Sequence, residues 1–357
     1  MDYFVSYPQR CNDSLNNLNA SSSSCARKVS TNGDTEVLGY YDSLIFVIVN
    51  RIALTAVLGM TGTASNVINL CVFLKQGLHV TININFFMLA AVDLIRSVNY
   101  LWQSVCLNPK IETLEVPFVF ADIQYLVNGW VSASLSRVSI FITGFTTAHR
   151  YMSVLKPLTV KRIFTPMRTS LVLLFIFLLN SIIVIPLCLS FYLEYRFYPN
   201  RNRTMLGLAI RSNSEEAQGM VFTVHAALFD ISLTAVILFT VLLIVQINQQ
   251  SRWRQNIMTK NQHQAISKKD KKLSKLVSLL AILQNVFFLP SVIFSIFTAI
   301  RSDFSVSGKQ ANLFNAIWSF MFLLGVCGAN VNIFIYYKMS SQYRKIARSM
   351  FSCCRKQ

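Results

Sequence analysis

The chain has 357 residues, 53% of them hydrophobic, 12% aromatic and only 13% charged, yet its formal net charge is +18. A soluble domain carries about 25% charged residues, so an ordinary water-soluble fold is a poor match. A nucleic-acid binder fits no better, because it spreads Lys and Arg over a soluble surface instead of between long apolar runs.

Residues 1–43 are rich in Asn, Ser and Asp and lack the apolar core of a signal peptide, so they read as a soluble tail. Seven apolar stretches follow, at 44–74, 84–107, 119–149, 169–193, 220–247, 273–300 and 311–337. Each exceeds the roughly 20 residues that a helix needs to cross a bilayer. The third is diluted by Ser132, Ser134, Ser136, Arg137 and Ser139, which predicts a helix buried among the others. Residues 44–337 thus form one membrane domain. Residues 338–357 form a tail in which Tyr343, Ile346, Ala347 and Met350 recur at helical spacing, as in an amphipathic helix lying on the membrane. The expected fold class is an all-α membrane protein, a seven-transmembrane helix bundle with a short amphipathic eighth helix. Cys353 and Cys354 beyond it are candidates for S-palmitoylation.

Charge sets the expected orientation. With the N-terminus outside, the cytoplasmic segments hold 20 Lys and Arg against one acid, Asp270. The outer side holds 11 basic and 12 acidic residues, while Arg96 and Arg137 balance Asp93 and Asp230 within the spans. The positive-inside rule therefore predicts an extracellular N-terminus on a multi-pass plasma-membrane protein. Glycosylation triplets at Asn12, Asn19 and Asn202 all fall on the side placed outside.

Polar residues inside apolar spans are expensive and so carry function. Asn66 lies in the first span, Asp93 ends Leu89-Ala90-Ala91-Val92-Asp93 in the second, and the third ends in Ala148-His149-Arg150-Tyr151 before Lys156-Pro157-Leu158. The sixth contains Phe287-Phe288-Leu289-Pro290, and the seventh ends in Asn332-Ile333-Phe334-Ile335-Tyr336. In this order and at these positions the motifs resemble the rhodopsin-like (class A) G-protein-coupled receptors, from about residue 44 to 354. The run from Arg137 through Thr143-Gly144-Phe145 to Lys161-Arg162-Ile163-Phe164-Thr165-Pro166-Met167-Arg168 is similar to molluscan chemosensory-type receptors. The chain departs from the family pattern in several places. His149 replaces the acid before Arg150, Ile333 replaces a proline, and Phe288 stands where relatives carry Trp. Tyr125 stands where relatives place a cysteine, and loop 194–219 has none to meet it; Cys106 could pair with Cys11 or Cys25, or all could remain thiols.

The resemblance implies a receptor that binds an extracellular ligand, a chemosensory cue or a peptide, and activates a heterotrimeric G protein. Arg150 and Tyr151, with Asp270 as a resting-state partner on the sixth span, would form the coupling switch; Asn332, Tyr336 and Pro290 would reorganise with them. Asp93, Ser139 and Asn332 match a sodium site of many relatives, although Arg96, one helical turn from Asp93, could take the carboxylate instead. Trp102, Asn128, Ser132, Ser136, Arg137, Asp230, Phe288 and Trp318 are the ligand-cavity candidates. Ser132 stands where amine receptors carry an acid, and Val326 where opsins carry a lysine, so amines are disfavoured and retinal is excluded. Arg137 and Asp230 could pair with each other or receive an anionic, amino-acid or peptide ligand.

Other classes fit less well. His79, His149, His225 and His263 show no metal spacing, and neither a Gly-x-Ser-x-Gly elbow nor a phosphate-cradling loop occurs, so no enzyme, cofactor or nucleic-acid partner is expected. A transporter or channel is the alternative, but it would usually show two related halves.

Overall fold

Apolar sequence in lipid leaves backbone N–H and C=O groups only one another as partners, and helices satisfy them locally. The computed structural model describes residues 37–112, 114–199, 202–211, 214–257, 264–301, 303–304 and 308–353. Seven long helices account for most of them: α1 Tyr40–Gln76, α2 Thr81–Cys106, α3 over 120–155, α4 Pro166–Ser190, α5 Ser214–Ile257, α6 Gln264–Ile300 and α7 Ala311–Met339. A shorter α8, Ser341–Cys353, follows at once. All but α3 of the seven are apolar and long enough to span a bilayer by length and composition. The third is the polar, internal helix that its serines predicted. It packs against α2, α4, α5 and α6, and both Arg137 and Val138 have no exposed surface.

Local sequence explains the boundaries. Gly77 closes α1 at φ 88°, a conformation that glycine adopts without strain. Thr165 caps α4, accepting from the Arg168 N–H at 3.4 Å, and Pro166 occupies the first turn, where no N–H is needed. The helices close into a ring in which α7 returns to α1. Gly62 permits that closure: an added Cβ would stand 2.6 Å from Ser97 Oγ on α2 and 3.1 Å from the Asn330 amide on α7. Asn66 Nδ2 ties the same seam by donating to the Ala329 carbonyl at 3.2 Å.

Two features differ from the expectation. The fourth helix ends at Ser190, and the apolar run continues as a strand instead, β1 Phe191–Tyr198, paired antiparallel with β2 Arg203–Ile210. Residues 191–193 are apolar enough to prolong a helix, yet here they form one arm of a hairpin. Arg51, counted with the outer residues, lies within α1 in a π-helical turn, Val49–Leu54, with its guanidinium 5.5 Å from the Phe322 ring centre on α7. The amphipathic tail is a helix as expected, with Tyr343 and Ala347 buried and Lys345 and Arg348 exposed.

Candidate functional site

Two charged centres lie inside the bundle. In the first, Asp93 of α2 is almost fully buried and accepts three hydrogen bonds. Arg96 NH1 donates to Oδ1 at 2.9 Å, Ser139 Oγ of α3 to the same oxygen at 3.4 Å, and Asn332 Nδ2 of α7 to Oδ2 at 2.8 Å. Gln284 Nε2 of α6 donates in turn to Ser139 Oγ at 3.2 Å. The three residues expected to surround a cation therefore do converge, and line a small cavity together with Arg96, Gln284 and Phe288. They do not fit a sodium ion. A hard cation needs oxygen acceptors, whereas this carboxylate is met by N–H and O–H donors and a guanidinium. Like charges about 4 Å apart would repel by about 4 kcal/mol at an effective dielectric of about 20.

Arg137 of α3 forms the second centre. Its Nε donates to Asn180 Oδ1 of α4 at 2.5 Å, and NH2 to the Asn180 carbonyl at 3.1 Å. NH1 meets His225 Nδ1 of α5 at 2.5 Å. An arginine can only donate, so this His225 nitrogen is the acceptor. Asp230, which could have paired with Arg137, is not brought to it: the structure has no ion pair between them, and among the described residues the partners of Arg137 are neutral. A run of ring contacts joins the two centres. His225 lies 5.8 Å from Phe229, Phe229 meets Phe288 edge-on at 5.5 Å, and Phe288 lies 5.6 Å beneath the Arg96 guanidinium.

The other cavity candidates divide. Asn128 is fully buried; it accepts from Ser132 Oγ, one turn on in α3, and donates to the Asn99 carbonyl of α2 at 3.0 Å, so Asn128 ties α3 to α2. Ser136 donates back to the Ser132 carbonyl at 2.9 Å. Trp318 packs edge-on against Phe294 and Phe314, while Trp102 is 39% exposed at the bundle surface.

At the rim carrying α8, Arg150 is buried and its Nε donates to Ser274 Oγ of α6 at 2.9 Å. The side chain of Asp270, its expected partner, lies outside the described residues. His149 stacks on Phe164 with ring centres 4.5 Å apart and lies 3.5 Å from the Asn85 amide nitrogen of α2. Tyr151 faces Phe239 of α5. Tyr336 is buried among Phe73, Phe86 and Tyr343. Tyr343 of α8 donates to Asn69 Oδ1 at 2.6 Å, and Asn69 donates to Asn66 Oδ1 at 3.1 Å, a polar chain that fastens α8 to α1. Burial holds the Tyr343 hydroxyl above its ordinary pKa, so it remains a donor. α6 continues as a helix through Pro290.

The family of serpentine type 7TM GPCR chemoreceptors designated Srw matches residues 53–354. The chain belongs to the Srw family. No curated protein matches it by sequence. It is thus a multi-pass membrane protein of a chemoreceptor family, and its charged centres lie inside a receptor bundle.

The amino-terminal rim of this Srw chain holds a residue that the sequence reading passed over. Asp122 Oδ2, at the start of α3, accepts from the Leu208 N–H at 2.9 Å and the Tyr198 hydroxyl at 3.2 Å. Leu206 pairs with the strand-like segment beside it, donating to the Pro117 carbonyl at 2.7 Å and accepting from the Val119 N–H at 3.0 Å. Tyr125 meets Phe191 edge-on at 5.4 Å. The hairpin is thereby fastened to α3. Asn202 is exposed at its tip with φ 47°. Asn12, Asn19, Cys11, Cys25 and Cys354 lie outside the described residues, as does the side chain of Cys353; Cys106 is buried. Asn180, His225, Gln284 and Ser274 were also missed. The first three carried a readable signal, as polar groups in the middle of apolar spans.

Proposed function

We propose that the chain is a rhodopsin-like receptor of the plasma membrane, with its N-terminus outside, that binds an extracellular chemosensory cue or peptide and activates a heterotrimeric G protein. The observation that carries this reading is the α8 rim. There a buried Arg150 holds α6 through Ser274, while Leu158, on the short helix that follows α3, is 83% exposed. A charged group locked beneath a mouth, next to a protruding apolar side chain, suits a surface that opens and receives a partner. Motif order along the chain supports the rhodopsin-like assignment, and the molluscan likeness rests on residues 137–168 alone. The cytoplasmic excess of Lys and Arg, and the exposed Asn202 triplet on the opposite rim, support the orientation.

Ligand binding at the amino-terminal half shifts the population toward an open α3–α6 mouth. Arg137, met among the described residues by neutral partners, favours a cue bearing an acidic group. Asp270 would reinforce the closed state from α6, so Asp270→Ala should raise ligand-free signalling. Recruitment of a G protein to Arg150→Ala receptors in cells tests the whole reading. Loss of recruitment at unchanged surface expression is expected; full recruitment would refute it.

A further inference from the structure

We propose that Arg96 is a tethered cation: it permanently occupies the place beside Asp93 that a mobile sodium ion would need, and it holds Phe288 of α6 against α2. This inference stands apart from G-protein coupling and rests on the geometry around Asp93. Arg96 is 1% exposed. Its NH1 binds Asp93 Oδ1, and its NH2 donates to the Gly325 carbonyl of α7 at 3.0 Å and to the Tyr100 hydroxyl at 3.4 Å. The face of the guanidinium lies over Phe288, so one side chain of α2 reaches both α6 and α7. The remaining donor, Nε, is buried without a partner among the described residues.

Charge and coordination both point to a resident guanidinium. Asp93 supplies one negative charge, and Arg96 cancels it at hydrogen-bond distance. A second cation would meet a neutral pair with both carboxylate oxygens already in use. Ser139 turns its hydroxyl proton toward Asp93, and Asn332 presents its N–H rather than its carbonyl. An ion in exchange with solvent would leave and return with the salt concentration. A side chain on α2 cannot, so the state of this centre is independent of the sodium gradient.

Thermal unfolding of the purified full-length receptor, in sodium chloride against choline chloride at equal ionic strength, tests the first half without ligand or G protein. The wild type should melt at the same temperature in both salts. Arg96→Gln frees the carboxylate and should gain a sodium-selective rise of about 2–4 °C. That rise should vanish in the Asp93→Asn, Arg96→Gln double variant. Arg96→Lys keeps a cation and should remain indifferent to sodium. It serves with the wild type if Arg96→Gln does not fold. Sodium-selective stabilisation of the wild type or of Arg96→Lys would overturn the proposal, as would a folded Arg96→Gln protein blind to sodium. A double-mutant cycle with Phe288→Leu tests the second half. Losses smaller in combination than their sum are expected, and strict additivity would overturn the link to α6.

Discussion

Arg96 and Arg137 are both buried guanidiniums, on adjacent helices, and they differ in what faces them. Arg96 meets a carboxylate, a carbonyl, a phenol and an aromatic face. Arg137 meets one asparagine and one histidine. The first centre is neutral as a whole and joins four helices, so its charge is spent on holding α2, α3, α6 and α7 together. The second is tied to α4 and α5 by hydrogen bonds, yet none of its partners among the described residues cancels its charge. A buried cation is expensive unless compensated. Arg137 therefore contributes less to the resting fold and has more to gain from an incoming anion. The lesson is that burial and hydrogen bonding alone do not distinguish a structural charge from a receptive one; the charge of the partners does.

Substitutions can break this contrast or sharpen it. The largest effect is expected for Asp93→Ala, which strands Arg96 as an unpaired buried cation and should cost about 3–5 kcal/mol. The melting temperature of the purified receptor measures it. Arg137→Leu removes a cation without stranding another. It leaves only the Asn180 and His225 acceptors unmet, for a loss of about 2–3 kcal/mol. If the ranking of these two reversed, the distinction between the centres would fail. His225→Phe keeps a ring beside Phe229 but removes the Nδ1 acceptor, and should cost about 1.5 kcal/mol in the same assay. A loss as large as that of Asp93→Ala would mean that His225 neutralises Arg137 in a way that its hydrogen bond does not indicate. The smallest change, about 0.5 kcal/mol, is expected for Tyr100→Phe, because the contact from Arg96 NH2 is long at 3.4 Å and the Gly325 carbonyl remains. Chemical denaturation resolves it best.

Much of this was legible in the sequence, for identifiable reasons. Helix positions followed from apolar run length, and the internal place of α3 followed from its serines and Arg137. The Asp93–Arg96 pairing was open to reading because the two residues lie one helical turn apart. The environment of Arg137 was not, because Asn180 and His225 are 43 and 88 residues away in the chain, and no local pattern links them. The hairpin was hidden for a different reason. Phe191, Tyr192 and Leu193 prolong the apolar run of α4, and hydropathy does not distinguish the end of a helix from the start of a strand there. Charge counting also misplaced Arg51, since an arginine near the end of a span reads as a rim residue until its aromatic partner on α7 is seen.

The fastening of the hairpin by Asp122 has a consequence for where and how this protein can mature. No cysteine lies between Cys188 and Cys327, so the hairpin holds no thiol of its own with which to be cross-linked to α3. A carboxylate, two donors and a short stretch of strand pairing do that work instead. Such a fastening forms without an oxidant, needs no isomerase to correct it, and offers a reducing agent nothing to cut. Parting the hairpin from α3 would break hydrogen bonds alone, whereas a covalent bridge would have to be cut.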